Sequence, residues 1–267
     1  MGTLLCFHAH PDDESISTGG TIARAVAEGH RVVLVIATNG DHGEIPADLA
    51  RGETLVDRRR AEAARSADVL GVHRLVWLDY ADSGMTGWEQ NDHPRSFVQA
   101  PLEEAATALA AILREESVDV LTVYDWHGNY GHPDHIKVHT VGHRAAEIAG
   151  TPAVFEATMN RDEMKRFFDE ARSQGINPQP EGEEWNPDDP ADDGNPMGTP
   201  EREITHRVDV SEYVMTKKAS ITCHRSQVTD AGFFMSLPDE AFKFAFGTEW
   251  FIRKGATHAL RDGWLFE

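Results

Sequence analysis

Two short strings hold the residue types that do hydrolytic chemistry. The first is His10-Pro11-Asp12-Asp13-Glu14 and the second is Tyr130-Gly131-His132-Pro133-Asp134-His135. Imidazole with carboxylate is a borderline-soft donor set that suits zinc or ferrous iron. Adjacent carboxylates point in different directions, so one of Asp12 and Asp13 can bind a metal while the other stays free as a base. A three-donor set such as His10, Asp13 and His135 leaves a fourth position open for water, as hydrolytic zinc requires. The pKa of that water falls toward ~7, and a nearby carboxylate can then take its proton. His132, with Asp134 to orient it, could act as an imidazolium beside a developing oxyanion. Alone, the first string reads equally well as the acidic first turn of a helix. Two His-Pro-Asp strings in one chain are harder to dismiss. His8 is read as a hydrogen-bonded histidine at a strand end.

Both strings must be held by rigid elements. Leu4–His8, Arg31–Thr38, Arg74–Tyr80, Val118–Tyr124 and Ala153–Met159 are strand-sized runs rich in β-branched and aromatic residues. Helical spacing of apolar residues fills Thr21–Glu28, Arg58–Gly71 and Pro101–Leu113 between them. Near-continuous apolar strands separated by helices predict a Rossmann-like α/β domain, a mostly parallel sheet with helices on both faces. Each His-Pro-Asp string follows a predicted strand, and in such sheets ligands sit beyond the carboxyl ends of the strands. Glu203–Val210 is read as a further strand and Glu212–His224 as a helix. The aromatic stretch Ala241–Arg253 is expected to pack on the core. Pro178–Pro200 is rich in Pro, Gly, Asn, Asp and Glu and reads as a long solvated loop. No repeat or composition break calls for a second domain, so residues 1–267 are read as one.

Composition narrows the function classes. With 45 acidic against 25 basic residues the formal charge is -20, which disfavours a nonspecific grip on nucleic acid or anionic lipid. No run approaches the ~20 apolar residues that span a bilayer, and the start has no basic region of a signal peptide. Cys6 and Cys223 are too few for a disulfide framework, so the chain reads as a soluble cytoplasmic protein. A nucleotide-binding enzyme is disfavoured because no glycine-rich phosphate loop follows a strand. His8-Ala9-His10-Pro11-Asp12-Asp13 departs from the HxHxDH string of metallo-β-lactamase-like hydrolases, with Asp13 where that string has its last histidine.

The chain resembles the LmbE-like (PIG-L) family of zinc-dependent N-deacetylases, most of all the branch of mycothiol-pathway deacetylases and amidases. The shared residues are His8–Glu14, the following Ser17-Thr18-Gly19-Gly20-Thr21-Ile22-Ala23, and Gly131–His135. Weaker matches are Arg58–Glu62, Asp82-Ser83-Gly84-Met85 and His224-Arg225-Ser226-Gln227. The resemblance implies that His10, Asp13 and His135 bind zinc, or ferrous iron, and that Asp12 is the general base. It implies that His132 stabilises the oxyanion or protonates the leaving amine, with Asp134 orienting it and Tyr130 bonding the tetrahedral intermediate. Arg59 and Asp82 would contact the substrate, although Arg58 and Arg60 compete with Arg59 for that register. Glu44 follows the second strand as a rim contact. Asp125, Trp126, His127 and Asn129 are expected to shape the wall, and His224 to pack or hydrogen bond rather than ligate. The implied reaction removes an N-acetyl group from a small-molecule amino sugar or glycoside. Relatives that cut larger thiol-conjugate amides tend to carry a lysine about where Ser17 stands, so its absence favours the deacetylase. A silent sugar-binding module is the remaining rival, and a homo-oligomeric state is left open.

Overall fold

The computed structural model describes residues 1–173, 186–191, 193–227 and 235–266. Five strands form a parallel array: β1 (Thr3–His8), β2 (Arg31–Thr38), β3 (Arg74–Tyr80), β4 (Val120–Tyr124) and β5 (Ala153–Thr158). Three more, β6 (His206–Asp209), β7 (Thr248–Arg253) and β8 (Arg261–Asp262), extend it to eight in the order β3-β2-β1-β4-β5-β7-β6-β8. β7 runs antiparallel to both β5 and β6. The predicted mostly parallel α/β sheet is therefore present, with an antiparallel edge added by the C-terminal part. Part of the aromatic stretch Ala241–Arg253 is a strand rather than only packing, with Phe251 buried in the core.

Helices cover both faces because successive strand residues point to opposite sides. Leu5, Phe7, Val33, Val35, Leu121 and Val123 pack against α4 (Leu102–Glu115) and α6 (Pro133–Ala149). Leu4, Cys6, Val32, Leu34, Ile36 and Val120 face the other way, toward α2 (Gly19–Ala27) and α3 (Leu55–Leu70). α3 begins on a reciprocal Thr54–Asp57 capping box and ends at Gly71 in the left-handed region, which fixes its length and its rotation. Gly142 lets α6 lie close on the sheet: a Cβ there would sit 2.3 Å from Val123 Cγ1. Among the described residues, no helix is long and apolar enough to cross a membrane.

After β1 the chain crosses to β2 and β3 on one side, then returns to place β4 on β1's other edge. The strand order reverses between β1 and β4, and a crevice opens there at the carboxyl ends. The short helix α1 (Asp13–Ser17) follows β1, and α5 (Gly128–Gly131) and α6 follow β4. Both His-Pro-Asp strings thus flank the same crevice.

Within the acidic segment Asn186, Asp188, Asp189, Pro190 and Gly194 are exposed, as a solvated loop requires, but its last residues are not. Residues 174–185, Trp185 among them, and residue 192 lie outside the described residues. The part just before Pro200 is pinned: Gly198 N donates to Asn129 O (2.7 Å), Thr199 N to Met159 O (2.8 Å), and both residues are buried. Arg161, in α7 (Arg161–Ser173), donates to the carbonyl oxygens of Pro196, Met197 and Gly198. The expectation of a solvated loop fails for these residues because backbone groups of 129, 159 and 161 need partners that the segment supplies.

Candidate active site

Three donor atoms form a nearly equilateral triangle across the crevice. His10 Nδ1 lies 3.3 Å from Asp13 Oδ2 and 3.3 Å from His135 Nε2, and the third side, His135 Nε2 to Asp13 Oδ2, is 3.4 Å. A tetrahedral ion with bonds of about 2.0–2.1 Å needs donors about 3.3 Å apart. The residues present therefore fit a divalent metal ion without rearrangement. His10 Nε2 points the opposite way, donating to Asp134 Oδ2 (3.2 Å) with Asp82 Oδ1 3.6 Å away. That hydrogen bond fixes the tautomer and leaves the Nδ1 lone pair for the triangle. His10, His132 and His135 also cluster, as do His10, Asp82, His132 and Asp134. The tighter triangle through Nδ1 matches metal geometry, and the carboxylates on the Nε2 side hold the ring.

Electrostatics agree with a cation at this point. Burial alone would lower the pKa of His10, but Asp82, Asp13 and Asp134 outweigh it and raise it well above the usual histidine range. Burial would raise that of Asp13, yet His135 and His10 hold it well below the usual carboxylate range. Four carboxylates converge here on few positive groups.

Asp12 sits at the head of α1 with φ 140°, a left-handed backbone that a non-glycine residue adopts only under constraint. Two contacts supply that constraint. Its N–H donates to Glu14 Oε2 (3.0 Å), and its Oδ2 accepts from Arg59 Nη2 (3.1 Å). Burial, followed by attraction from Arg59 and repulsion from Asp13, leaves the Asp12 pKa pushed up to about 6. Glu14 is itself buried. It accepts from His224 Nε2 (2.7 Å) and from Ser66 Oγ (2.5 Å), so His224 is joined to Asp12 through one side chain.

The arginine register is resolved. Arg58 pairs with Glu53 and Asp48 and Arg60 pairs with Asp79, whereas Arg59 is buried and donates to Gly40 O, Pro11 O and Asp12. Its guanidinium is engaged by protein acceptors, so Arg59 stands behind Asp12, where the resemblance implied a substrate contact. Asp82 is buried, accepts from Gly84 N (2.8 Å) and stands beside His10. Glu44 is exposed; its backbone exchanges hydrogen bonds with Gln227 at 3.0 and 2.9 Å.

Asp134 has a different partner from the expected one. Its carboxylate accepts from Ser83 N (2.9 Å), Ser83 Oγ and His10, while its backbone N–H donates to His132 Nδ1 (3.1 Å). The reason is local: Pro133 opens α6, and His132 is the N-cap whose ring accepts the first free amide. His132 therefore carries its proton on Nε2. Burial, with His10 and His135 nearby, lowers its pKa to about 2, which opposes the imidazolium expected from sequence. Tyr130 Oη lies 3.5 Å from His135 Nε2, and burial raises its pKa, keeping the hydroxyl protonated.

His8 has both ring nitrogens partnered, by Tyr124 Oη and Thr18 Oγ1 at 2.8 Å each, and burial lowers its pKa to about 4. The sequence reading passed over Tyr124, whose ring stacks on His135 at 4.3 Å and 13°. Its place as the last residue of an apolar strand, six before the second string, hides it among core residues. Asp125 accepts from Asn129 N (2.8 Å) and Thr158 Oγ1 (2.6 Å), which ties the loop after β4 to β5. His127 Nδ1 faces Asp193 Oδ2 at 3.3 Å, so the acidic segment packs on the loop after β4. Trp126 is exposed beside it.

Residues 5–146 match the PIG-L family, described as GlcNAc-PI de-N-acetylase. A 1D-myo-inositol 2-acetamido-2-deoxy-alpha-D-glucopyranoside deacetylase of Saccharomonospora viridis is 40% identical, with 85% of each chain covered. The protein of that name from Nocardiopsis dassonvillei is 37% identical over 96% of this chain and 95% of its own. The N,N'-diacetylchitobiose deacetylase of Pyrococcus horikoshii superposes with a TM-score of 0.59 at 24% identity, covering 94% of this chain and 83% of that one, which shows a common fold. The matched residues 5–146 include every member of the donor triangle.

Proposed function

The chain belongs to the PIG-L family, and from that premise we propose that it is a metal-dependent hydrolase that removes the N-acetyl group of an amino-sugar glycoside. The names of its relatives point to a glucosaminide of myo-inositol as the substrate class. The observation that carries the metal-dependent reading is the triangle of His10 Nδ1, Asp13 Oδ2 and His135 Nε2, with sides of 3.3–3.4 Å, beside a constrained carboxylate. Zinc, or ferrous iron, would be held by these three residues. Once bound, such an ion polarises the acetyl carbonyl and acidifies water.

The chain's own residues divide the remaining work. Asp12 takes a proton from the attacking water. A pKa near 6 leaves it ionised at neutral pH yet basic enough to accept that proton. Arg59 occupies Oδ2 and Glu14 holds the backbone N–H, so the carboxylate meets the water at a set angle. The same carboxyl can then return its proton to the departing amine. His132 offers Nε2–H to the carbonyl oxygen as negative charge builds there, as a neutral donor whose direction is set by Asp134 N. Tyr130 Oη is the second donor on that side. Asp134 acts one step back, through His10. Asp82, buried beside His10, and Glu44, exposed after β2, are assigned to the sugar or aglycone hydroxyls.

The test is primary-amine release from a panel of N-acetylglucosaminides that includes the myo-inositol glycoside, with zinc-loaded enzyme beside Asp12→Ala. Release by the wild type that falls by about 10²–10⁴ in the variant supports the reading. Equal turnover in both would sink it. Release from thiol-conjugate amides alone would move the substrate to the larger-amide class.

A further inference from the structure

A second group of metal-binding side chains lies on the same helix, one turn beyond the first. α6 carries His139 and His143, four residues apart and so on one face. β5 places Glu156 opposite them. Val154 packs into the layer shared with α4 and α6, and Glu156, two residues on, points to the same side. The contacts follow from that register. His143 Nε2 lies 2.8 Å from Glu156 Oε1, the two imidazole rings are 4.4 Å apart at 57°, and one donor atom from each residue lies within 4.8 Å of the others.

Two features separate this group from an ordinary hydrogen-bonded pair. Glu156 sits mid-sheet, flanked by β4 and β7, on the face whose core is otherwise apolar and aromatic. A carboxylate there needs positive charge, and among the described residues no lysine or arginine pairs with it; the groups that face it are the imidazoles of His143 (Nε2, 2.8 Å) and His139 (Nδ1, 4.0 Å). Second, His139 Nδ1 lies 3.0 Å from the carbonyl oxygen of Tyr124. That bond requires the proton on Nδ1 and leaves the Nε2 lone pair unprotonated. It is the arrangement of a metal-ligating histidine oriented by a backbone carbonyl. The side chains of His139, His143 and Glu156 are 20%, 14% and 15% exposed, so an ion can reach them from solvent.

We propose that His139, His143 and Glu156 form a second metal site, distinct from the triangle at His10, which takes a divalent transition-metal cation of the zinc class. Two imidazoles and one carboxylate are a zinc-type donor set with a fourth position left for water. Tetrahedral bonds of about 2.0–2.1 Å need donors about 3.3 Å apart. One donor atom of each residue now lies within 4.8 Å of the others, so side-chain rotation must draw them in for the ion to bind. The ion would cross-link α6 to β5. It would also fix the ring that holds Tyr124 O, and Tyr124 stacks on His135. Its role is therefore a strut behind the crevice, separate from the reaction.

The experiment is zinc content per chain, measured on chelator-stripped, full-length protein after reloading with micromolar zinc and desalting. Wild type is expected to hold two equivalents. Glu156→Gln and His143→Ala are each expected to hold one while retaining kcat/KM within about threefold, and Asp13→Ala should hold one, lost on adding Glu156→Gln. Glu156→Gln is nearly isosteric, so it stands as the test should His143→Ala fail to fold. As a second readout, zinc should raise the Tm of Asp13→Ala but leave the Asp13→Ala, Glu156→Gln double variant unmoved. Equal zinc content in wild type and Glu156→Gln, whether one equivalent or two, would overturn the proposal. So would an Asp13→Ala protein that binds none.

Discussion

Replacing His224 by alanine tests whether Asp12 is held from behind. His224 Nε2 and Glu14 Oε1 are 2.7 Å apart, with side chains 2% and 0% exposed, so solvent does not screen the pair. Removing one partner of a buried ion pair costs about 3–5 kcal/mol when the other charge is stranded. Here Glu14 keeps donors from Ser66, Ser15 and Asp12 N, which puts the loss near the lower end, about 3 kcal/mol. At about 2–4 °C per kcal/mol for a chain of this size, Tm should fall by about 6–12 °C. The pH dependence carries a sign. Glu14 is lowered in the fold from 4.5 to about 2, despite burial, by His224, so its contribution is present above 4.5 and fades as pH drops toward 2. His224 is raised above 6.5 by Glu14, so its contribution is full below 6.5 and is lost as pH rises through the raised value. The gap between wild type and His224→Ala should therefore be widest from about pH 4.5 to 6.5 and narrow as pH rises through the raised His224 value. Calorimetry at pH 6 and along a rising pH series reads it directly, with His224→Gln, which keeps a donor but no charge, falling between the two. A gap under about 2 °C at pH 6 would refute the ion pair.

Other consequences are equally direct. Arg59→Lys should lower kcat by about 10–100-fold with KM little changed, because Arg59 grips Asp12; a rise in KM alone would make it a substrate contact instead. Gly142→Ala should destabilise the protein: the helix-propensity gain of about 1 kcal/mol is smaller than the overpacking of about 1–3 kcal/mol against Val123. A higher Tm would show that the layer yields. Cys6, whose thiol is pushed up to about 12 by burial, should resist Ellman's reagent at pH 8 until denaturant is added. Its labelling in the native protein would contradict the packing of β1.

The parallel core was legible because its strands are buried on both faces. Runs such as Val32-Val33-Leu34-Val35-Ile36 have no polar alternation to confuse them, and their carboxyl ends located the crevice. α6 is not legible as a helix, since it spends polar positions on Asp134, His135, His139 and His143 and shows a weak apolar stripe. β7 was missed because its aromatic residues suit packing as well as pairing, and only its antiparallel register with β5 decides between them. Residue types name candidate donors and a candidate base, but not how they are held. That Asp134 turns to His10 follows from Pro133 fixing the helix start, and that Arg59 turns inward follows from the rotation of α3. Both are properties of three-dimensional placement that a linear spacing does not carry.

The most direct measurement is turnover of the myo-inositol glucosaminide, or of the best N-acetylglucosaminide in its place, by chelator-stripped enzyme as zinc is returned. It is run in parallel on wild type, Asp12→Asn and Asp13→Ala. Activity should be absent without metal and return in the wild type as zinc is added. Asp12→Asn should regain metal but stay about 10²–10⁴ below wild type, and Asp13→Ala should recover neither the metal of the triangle nor turnover. Stripped enzyme that turns over at the loaded rate, or Asp12→Asn that matches wild type, would contradict a metal site at His10, Asp13 and His135 served by Asp12.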